Sequence, residues 1–88
     1  MTDIKIKIYT DPGHGWGAVK RSLLKDFGIE DKITPYSYQK GATVYLEEDC
    51  DLSTFVKTLK EKGYNPVYIE KHTDKRHPIR SYDSFKPE

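Results

Sequence analysis

The sequence contains little cysteine and almost no excess charge, and both shortages limit what the protein can be. A single cysteine among 88 residues excludes a disulfide within the chain, and such sparing use is typical of a reducing compartment. The formal net charge is only +1, from 15 basic and 14 acidic side chains. This balance argues against a general electrostatic attraction to nucleic acid or membranes and leaves only local charged patches.

Long apolar runs, internal repeats and low-complexity tracts are also missing. No stretch is apolar for long enough to span a bilayer, and the first residues do not have the pattern of a signal peptide. We therefore expect a cytoplasmic protein. The chain is long enough to close one hydrophobic core, to which seven tyrosines can add half-buried area.

Hydrophobic periodicity predicts an alternation of strands and helices. Isoleucines at every second position of Ile4–Ile8 indicate a half-buried strand. Apolar residues at helical spacing over 18–27, and again over 52–59, indicate two amphipathic helices. Gly28 and Gly63 are suitable residues to end these helices, because glycine readily adopts the left-handed conformation of a helix C-terminus.

Three further segments, at residues 33–38, 42–47 and 66–70, have the composition of strands. The order β-α-β-β-α-β predicts an α+β, ferredoxin-like βαββαβ sandwich, with two helices on one face of a four-stranded sheet. Residues 1–72 would form this single domain and residues 73–88 a basic C-terminal arm. Right-handed crossovers place the first and third strands side by side and parallel, so that the loops after them leave the sheet at one edge.

The loop after the first strand, DPGHGWG at residues 11–17, contains three glycines and the only tryptophan. Converging backbone amides at such glycines can bind an anion, but the lysine and hydroxyl residue of a phosphate-binding loop are missing. The alternative is a tight turn whose glycines let Trp16 fold back onto the core.

The loop after the third strand, EEDCD at residues 47–51, is acidic and contains the only cysteine. Together with Asp11 and His14, these side chains suit a metal site. Alternatively, Cys50, His14 and Asp11 could supply the nucleophile, the base and the orienting group of a catalytic site. However, the spacing matches no established metal motif, and Asp51 is also a favoured N-cap for the following helix. We therefore assign no catalytic residue, metal ligand or cofactor and favour a non-enzymatic protein, with a small metal-dependent hydrolase as an alternative.

The edge between these two loops is the favoured site for a protein or nucleoprotein partner. Tryptophan and arginine dominate interface energies, so Trp16 is the expected anchor if its ring is exposed. An open sheet with free strand edges also allows a homodimer. The residues predicted to bind the partner are Asp11, His14, Trp16, Glu48 and Asp49 at the edge, with Arg76, Arg80 and Tyr82 of the arm.

A second hypothesis places nucleic acid on the face of the sheet that the helices leave open and on the basic C-terminal arm. If Val67 and Ile69 point inward, the outward side chains include lysines and tyrosines, which neutralise and stack on single-stranded nucleic acid. The same tyrosine-rich face suits a protein partner. The residues predicted for nucleic-acid binding are Lys5, Lys7, Tyr9, Tyr45 and Tyr68.

Three segments together carry a resemblance to known proteins: KIYTDPGHGW, YSYQKGATVYLEEDCD and EKHTDKRHPIRSYDSF. They resemble a group of short uncharacterised proteins encoded by bacterial phages and mobile elements, and the likeness spans nearly the whole chain. The resemblance implies an accessory binding protein in the cytoplasm of a bacterial host. Proteins of this kind bind a host or phage protein, and some inhibit host defence systems.

Overall fold

The computed structural model describes residues 2–87, which form an α+β fold with one six-stranded mixed sheet and two α-helices. The strands are Thr2–Thr10 (β1), Gly15–Lys20 (β2), Tyr38–Lys40 (β3), Thr43–Glu47 (β4), Tyr64–His72 (β5) and Asp83–Ser84 (β6), and the helices are Arg21–Asp26 (α1) and Asp51–Glu61 (α2). Short 3₁₀ turns lie at Glu30–Lys32 and Pro78–Ser81. Within this part of the chain, no helix has both the length and the apolar character needed to cross a membrane.

The strand order across the sheet is β5-β1-β2-β4-β3-β6. β1 is parallel to β5 and antiparallel to β2, and β2 is in turn antiparallel to β4. The predicted ferredoxin-like order of four strands is not confirmed. The predicted first and third strands correspond to β1 and β4, and β2 lies between them. Their predicted adjacency is wrong, although their predicted parallel direction is right, since each is antiparallel to β2.

The strand β2 is the element that sequence patterns conceal. Gly15 and Gly17 weaken its strand propensity, and Val19 fits the helical spacing of the apolar residues that follow it. In the structure Gly15–Lys20 pairs with β1 on one side and β4 on the other, and α1 begins only at Arg21. Hydrogen bonding on both sides outweighs the poor intrinsic propensity of glycine.

The main core lies between the two helices and one face of the sheet. Each of its large aliphatic side chains contributes about 1.5–3 kcal/mol by leaving water. The predicted helix ends are confirmed, since Gly28 and Gly63 have φ angles of 69° and 86°. The core includes Ile6, Val19, Val44 and Leu46 from the sheet, Leu24, Phe55 and Leu59 from the helices, and Ile29, Ile33 and Phe85 from the connections.

Asp51 is not the N-cap of α2 but its first helical residue, and Cys50 occupies the cap position without a side-chain hydrogen bond. The Asp51 side chain turns inward, where the residue is only 1% exposed. Its carboxylate accepts hydrogen bonds from the amide and hydroxyl of Thr34 and from the hydroxyl of Ser37. The Ser37 hydroxyl accepts from the amide of Glu47 at 3.0 Å. This network ties the segment before β3 to both β4 and α2.

The segment after β5, predicted to be an arm, packs onto the sheet. Strand β6 pairs with β3, and Phe85 completes the main core while its amide donates to the carbonyl of Ser37 at 2.8 Å. Before β6, the ring of His77 contacts Tyr9 on the sheet face opposite the helices, with ring centroids 5.3 Å apart. The C-terminal segment therefore covers one end of the face that the helices leave open.

Candidate functional site

The loops after β1 and β4 meet at one edge of the sheet, as the sequence predicts. Trp16 pairs with Glu47 across β2 and β4, and the amide of Glu48 donates to the carbonyl of Gly15 at 3.1 Å. The acidic turn after β4 therefore lies beside the glycine-rich loop. The two stretches of most unusual composition are neighbours, although the strand β2 is what brings them together.

The carboxylate of Asp11 organises the glycine-rich loop from inside. Its side chain is fully buried, and Oδ1 accepts from the amides of Gly13 at 3.0 Å and His14 at 2.9 Å. Oδ2 accepts from the amide of His77 at 3.1 Å. Arg80 donates to both oxygens at 2.7 Å, in a bidentate pair. The hydrogen bond from Arg80, aided by the backbone amides, holds the pKa of Asp11 well below its ordinary value of 3.8 and raises that of Arg80.

The glycines of this loop serve close packing. The amides that an external anion would require already donate to Asp11, and the positive φ angles of the described residues occur at other glycines. A Cβ atom at Gly13 in the loop, or at Gly15 or Gly17 at the start of β2, would instead come within 3.0 Å of a neighbouring side chain. Those close neighbours are Arg80 at Gly13, Glu48 at Gly15 and Leu52 at Gly17.

Trp16 is buried, with only 2% of its surface exposed. Its ring centroid lies 6.2 Å from that of Tyr38 and 6.1 Å from that of His77, and the Arg80 guanidinium lies 5.7 Å from the indole. The condition for Trp16 to act as an exposed anchor is therefore not met. Its indole contributes to the packing beneath the edge instead.

A pocket of about 380 Å³ opens beside Trp16, and we call it the corner pocket. Its size lies within the range of about 300–1,000 Å³ that is usual for ligand sites. Tyr36 stands at this pocket with 76% of its surface exposed. The corner pocket is lined by His14, Trp16, Tyr36, Tyr38, Glu47, Asp49, Cys50 and Arg80.

Negative charge dominates the corner pocket. Glu47 and Asp49 line it, and neither forms an ion pair within residues 2–87. Arg80 also lines it, but its charge is offset by the bidentate pair with Asp11. The pocket therefore combines aromatic walls with carboxylates whose charge is not compensated locally.

The side chains considered for catalysis do not form a hydrogen-bonded set. Asp11 is engaged by Arg80, and the ring of His14 instead contacts that of Trp16, with centroids 6.0 Å apart. The charge of Asp51, followed by burial, raises the pKa of the Cys50 thiol and so disfavours the nucleophilic thiolate. In the described chain, no group of three or more His, Cys, Asp or Glu side chains is placed to hold a metal ion.

The structure brings most of the predicted partner-binding residues together. Arg76 is exposed and does not line the corner pocket, and Tyr82 lies on the open face of the sheet, 5.3 Å from Tyr45 between ring centroids. The residues that gather at the corner are Asp11, His14, Trp16, Glu48, Asp49 and Arg80.

Sequence reasoning missed Tyr36 and Tyr38 as functional candidates. The segment YSY that contains them was assigned to a strand, in which alternate side chains face opposite ways. In the structure only Tyr38 lies in a strand, and Tyr36 belongs to the turn before it. The available signal was the proline directly before Tyr36, since proline favours a turn and thereby exposes the aromatic side chain after it.

The register of the strands separates the residues predicted for nucleic-acid binding. Tyr68 pairs with Ile6 and therefore shares the helix-covered side of the sheet, contrary to the prediction. Val67 and Ile69 take the open side instead. Periodicity could not orient the strand, because residues 66–69 are apolar or aromatic on both of its faces. The residues that do share the open face are Lys5, Lys7, Tyr9 and Tyr45.

Comparisons with known proteins give no match: no family model fits the chain, and no curated protein or solved structure is significantly similar to it.

Proposed function

We propose that the protein is a binding module whose corner pocket receives the cationic end of an arginine or lysine side chain of a protein partner. The observation that supports this most directly is an exposed aromatic wall and uncompensated carboxylates in the same pocket. Aromatic faces attract cations, and a guanidinium group pairs with a carboxylate through two parallel hydrogen bonds. A neutral or anionic ligand would leave the carboxylates unpaired.

The pocket is rigid at its base and adaptable at its rim. Trp16 is buried beneath the pocket and is held between the strand ladders and the rings around it, so the base of the pocket loses little entropy when a ligand binds above it. Tyr36 forms no ring contact in the described structure and is free to close over an entering side chain. This arrangement favours recognition of one projecting residue at the centre of a larger contact.

The resemblance to proteins of phages and mobile elements adds a proposal about the partner. We propose a host protein that presents a basic residue on a surface loop, bound without chemical conversion. Inhibition of a host defence system is one consequence that such binding would have.

The experiment is a titration of the isotope-labelled protein, followed by NMR, with N-acetylarginine amide and N-acetyllysine amide. Both compounds should shift the indole signal of Trp16 and the backbone signal of Tyr36. N-acetylcitrulline amide, which has the shape of the arginine compound without its charge, should have little effect. A single residue is expected to bind weakly, with a Kd on the order of 1 mM.

Two variants connect the binding to the corner pocket. Tyr36→Ala and Glu47→Gln should each weaken arginine binding about tenfold, the effect of about 1.4 kcal/mol. The matched control is Tyr68→Ala, because Tyr68 is also an exposed tyrosine, with 52% exposure, but lies on β5 away from the pocket. Equal binding of citrulline, or equal effects of Tyr36→Ala and Tyr68→Ala, would contradict the proposal.

A further inference from the structure

A second cavity, separate from the corner pocket, opens between β1 and β2 and is lined both by side chains of the open face and by Ile4, Val19 and Leu23 from the helix-covered side. β1 and β2 pair from Lys7 with Ala18 to Thr10 with Gly15. The residues of β1 before Lys7 and those of β2 after Ala18 do not pair with each other, and the two strands diverge there. The C-terminal segment covers the opposite end of the open face, where His77 contacts Tyr9 and Trp16. A cavity of about 520 Å³, which we call the lysine groove, lies at the divergence.

Positive charge gathers along the lysine groove. Lys5, Lys7 and Lys20 line it, all are exposed, and none forms an ion pair within the described part of the chain. Lys40 lies on the same face two strands from Lys20, since both pair with Thr43. The acidic side chain that lines the groove is Asp26 of α1. This local excess stands out in a chain whose net charge is +1.

The open-face part of the lysine groove places a small side chain beside an aromatic ring. In one row across the sheet, Ala18 lies between Lys7 and Tyr45, and its small side chain leaves a hollow between them. The ring of Tyr45 is held by Tyr9 and Tyr82, with centroids 6.2 Å and 5.3 Å away. Burial, followed by these two tyrosines, raises the pKa of Tyr45, so its hydroxyl stays neutral and adds no charge that would repel an anion.

We propose that the lysine groove binds a single strand of nucleic acid, with its phosphates near Lys5, Lys7 and Lys20 and a base against Tyr45. Lysines beside an aromatic side chain on an open sheet are the elements with which proteins bind single strands irrespective of sequence. A double helix keeps its bases stacked inside and offers no flat group to the hollow. A peptide of acidic residues alone supplies the negative charge but not the planar ring.

The test measures fluorescence anisotropy of labelled oligo(dT) and oligo(U) of about 15 nucleotides, between about 50 and 200 mM salt. Neutralising one phosphate of a single strand contributes about −0.7 to the slope of log K against log salt concentration, so three lysines predict a slope of about −2. The double variant Lys7→Gln/Lys20→Gln should reduce the slope to about −0.7 and weaken binding at low salt.

The matched control is Lys57→Gln/Lys60→Gln, which removes the same charge from exposed positions on α2, at the other side of the sheet. It should leave both affinity and slope unchanged, and so should Tyr36→Ala in the corner pocket. Absence of binding at about 50 mM salt, an equal effect of the control, or tighter binding of a duplex or of polyglutamate would each overturn the proposal.

Discussion

The buried hydroxyl of Ser37 provides the sharpest test of how the corner is held together. Ser37 is completely buried and lies between the two tyrosines of the corner pocket. Its hydroxyl donates to the carboxylate of Asp51 and accepts from the amide of Glu47. Replacing Ser37 by alanine removes both hydrogen bonds and a single heavy atom, without introducing a clash.

The expected cost follows from these two bonds. A hydrogen bond to a charged group contributes about 1.5–3 kcal/mol, and a bond between neutral groups about 0.5–1.5 kcal/mol. The Asp51 carboxylate keeps its bonds to the amide and hydroxyl of Thr34, so it is not left without partners. We therefore expect Ser37→Ala to lower the free energy of unfolding by about 2–4.5 kcal/mol.

Urea unfolding followed by tryptophan fluorescence measures this change, because the single tryptophan is buried. The midpoint should fall while the slope m stays the same, since the surface exposed on unfolding is unaltered. Ser53→Ala removes the same atom from an exposed position of α2 and should change stability by no more than about 0.5 kcal/mol. A Ser37→Ala variant within the same limit would refute the assignment of a structural role to this network.

Two further predictions concern Asp11 and Trp16. Asp11→Asn should lower the Tm near neutral pH, and because the pKa of Asp11 is lowered on folding, the wild-type advantage should shrink as the pH falls below about 3.8. Thermal scans across that range check this, and a difference independent of pH would contradict the ion pair as its cause. Trp16→Ala should lower the free energy of unfolding by about 3–5 kcal/mol, measured by circular dichroism in urea. Tyr36→Ala should change it by only about 0.5 kcal/mol, and equal losses in the two variants would contradict their different burial.

The fold was predictable wherever one local rule dominates. The isoleucine alternation of β1 and the glycine ends of both helices agree with the structure, because strand period and left-handed backbone are local properties. The strand β2 was not predictable, because its glycines are tolerated only through hydrogen-bond ladders on both sides, to the preceding strand β1 and to β4, which lies far along the chain. The orientation of β5 was missed for a related reason, since its alternation is ambiguous and its register depends on β1.

The candidate site, like the fold, was predictable in part. The meeting of the two unusual loops follows from strand direction and was predicted, but the roles of the residues within them were not. Asp11 and Trp16 were expected at a binding surface and are buried. Their burial depends on the C-terminal segment, which supplies Arg80 and His77 from far along the chain. No local pattern indicates such a pairing.

The amino-acid sequence by itself determined the strand period of β1, the C-terminal glycine ends of both helices and the parallel course of β1 and β4, because each depends on backbone sterics or on the spacing of apolar residues. Only the tertiary structure decided which polar groups are satisfied internally and which face outward. From the sequence, Asp11 was a candidate ligand, but in the folded chain Arg80 pairs with it. Tyr36 was expected in a strand, but it lies in a turn that exposes its side chain. Burial and pairing are properties of the folded chain, and the assignment of function to residues depends on both.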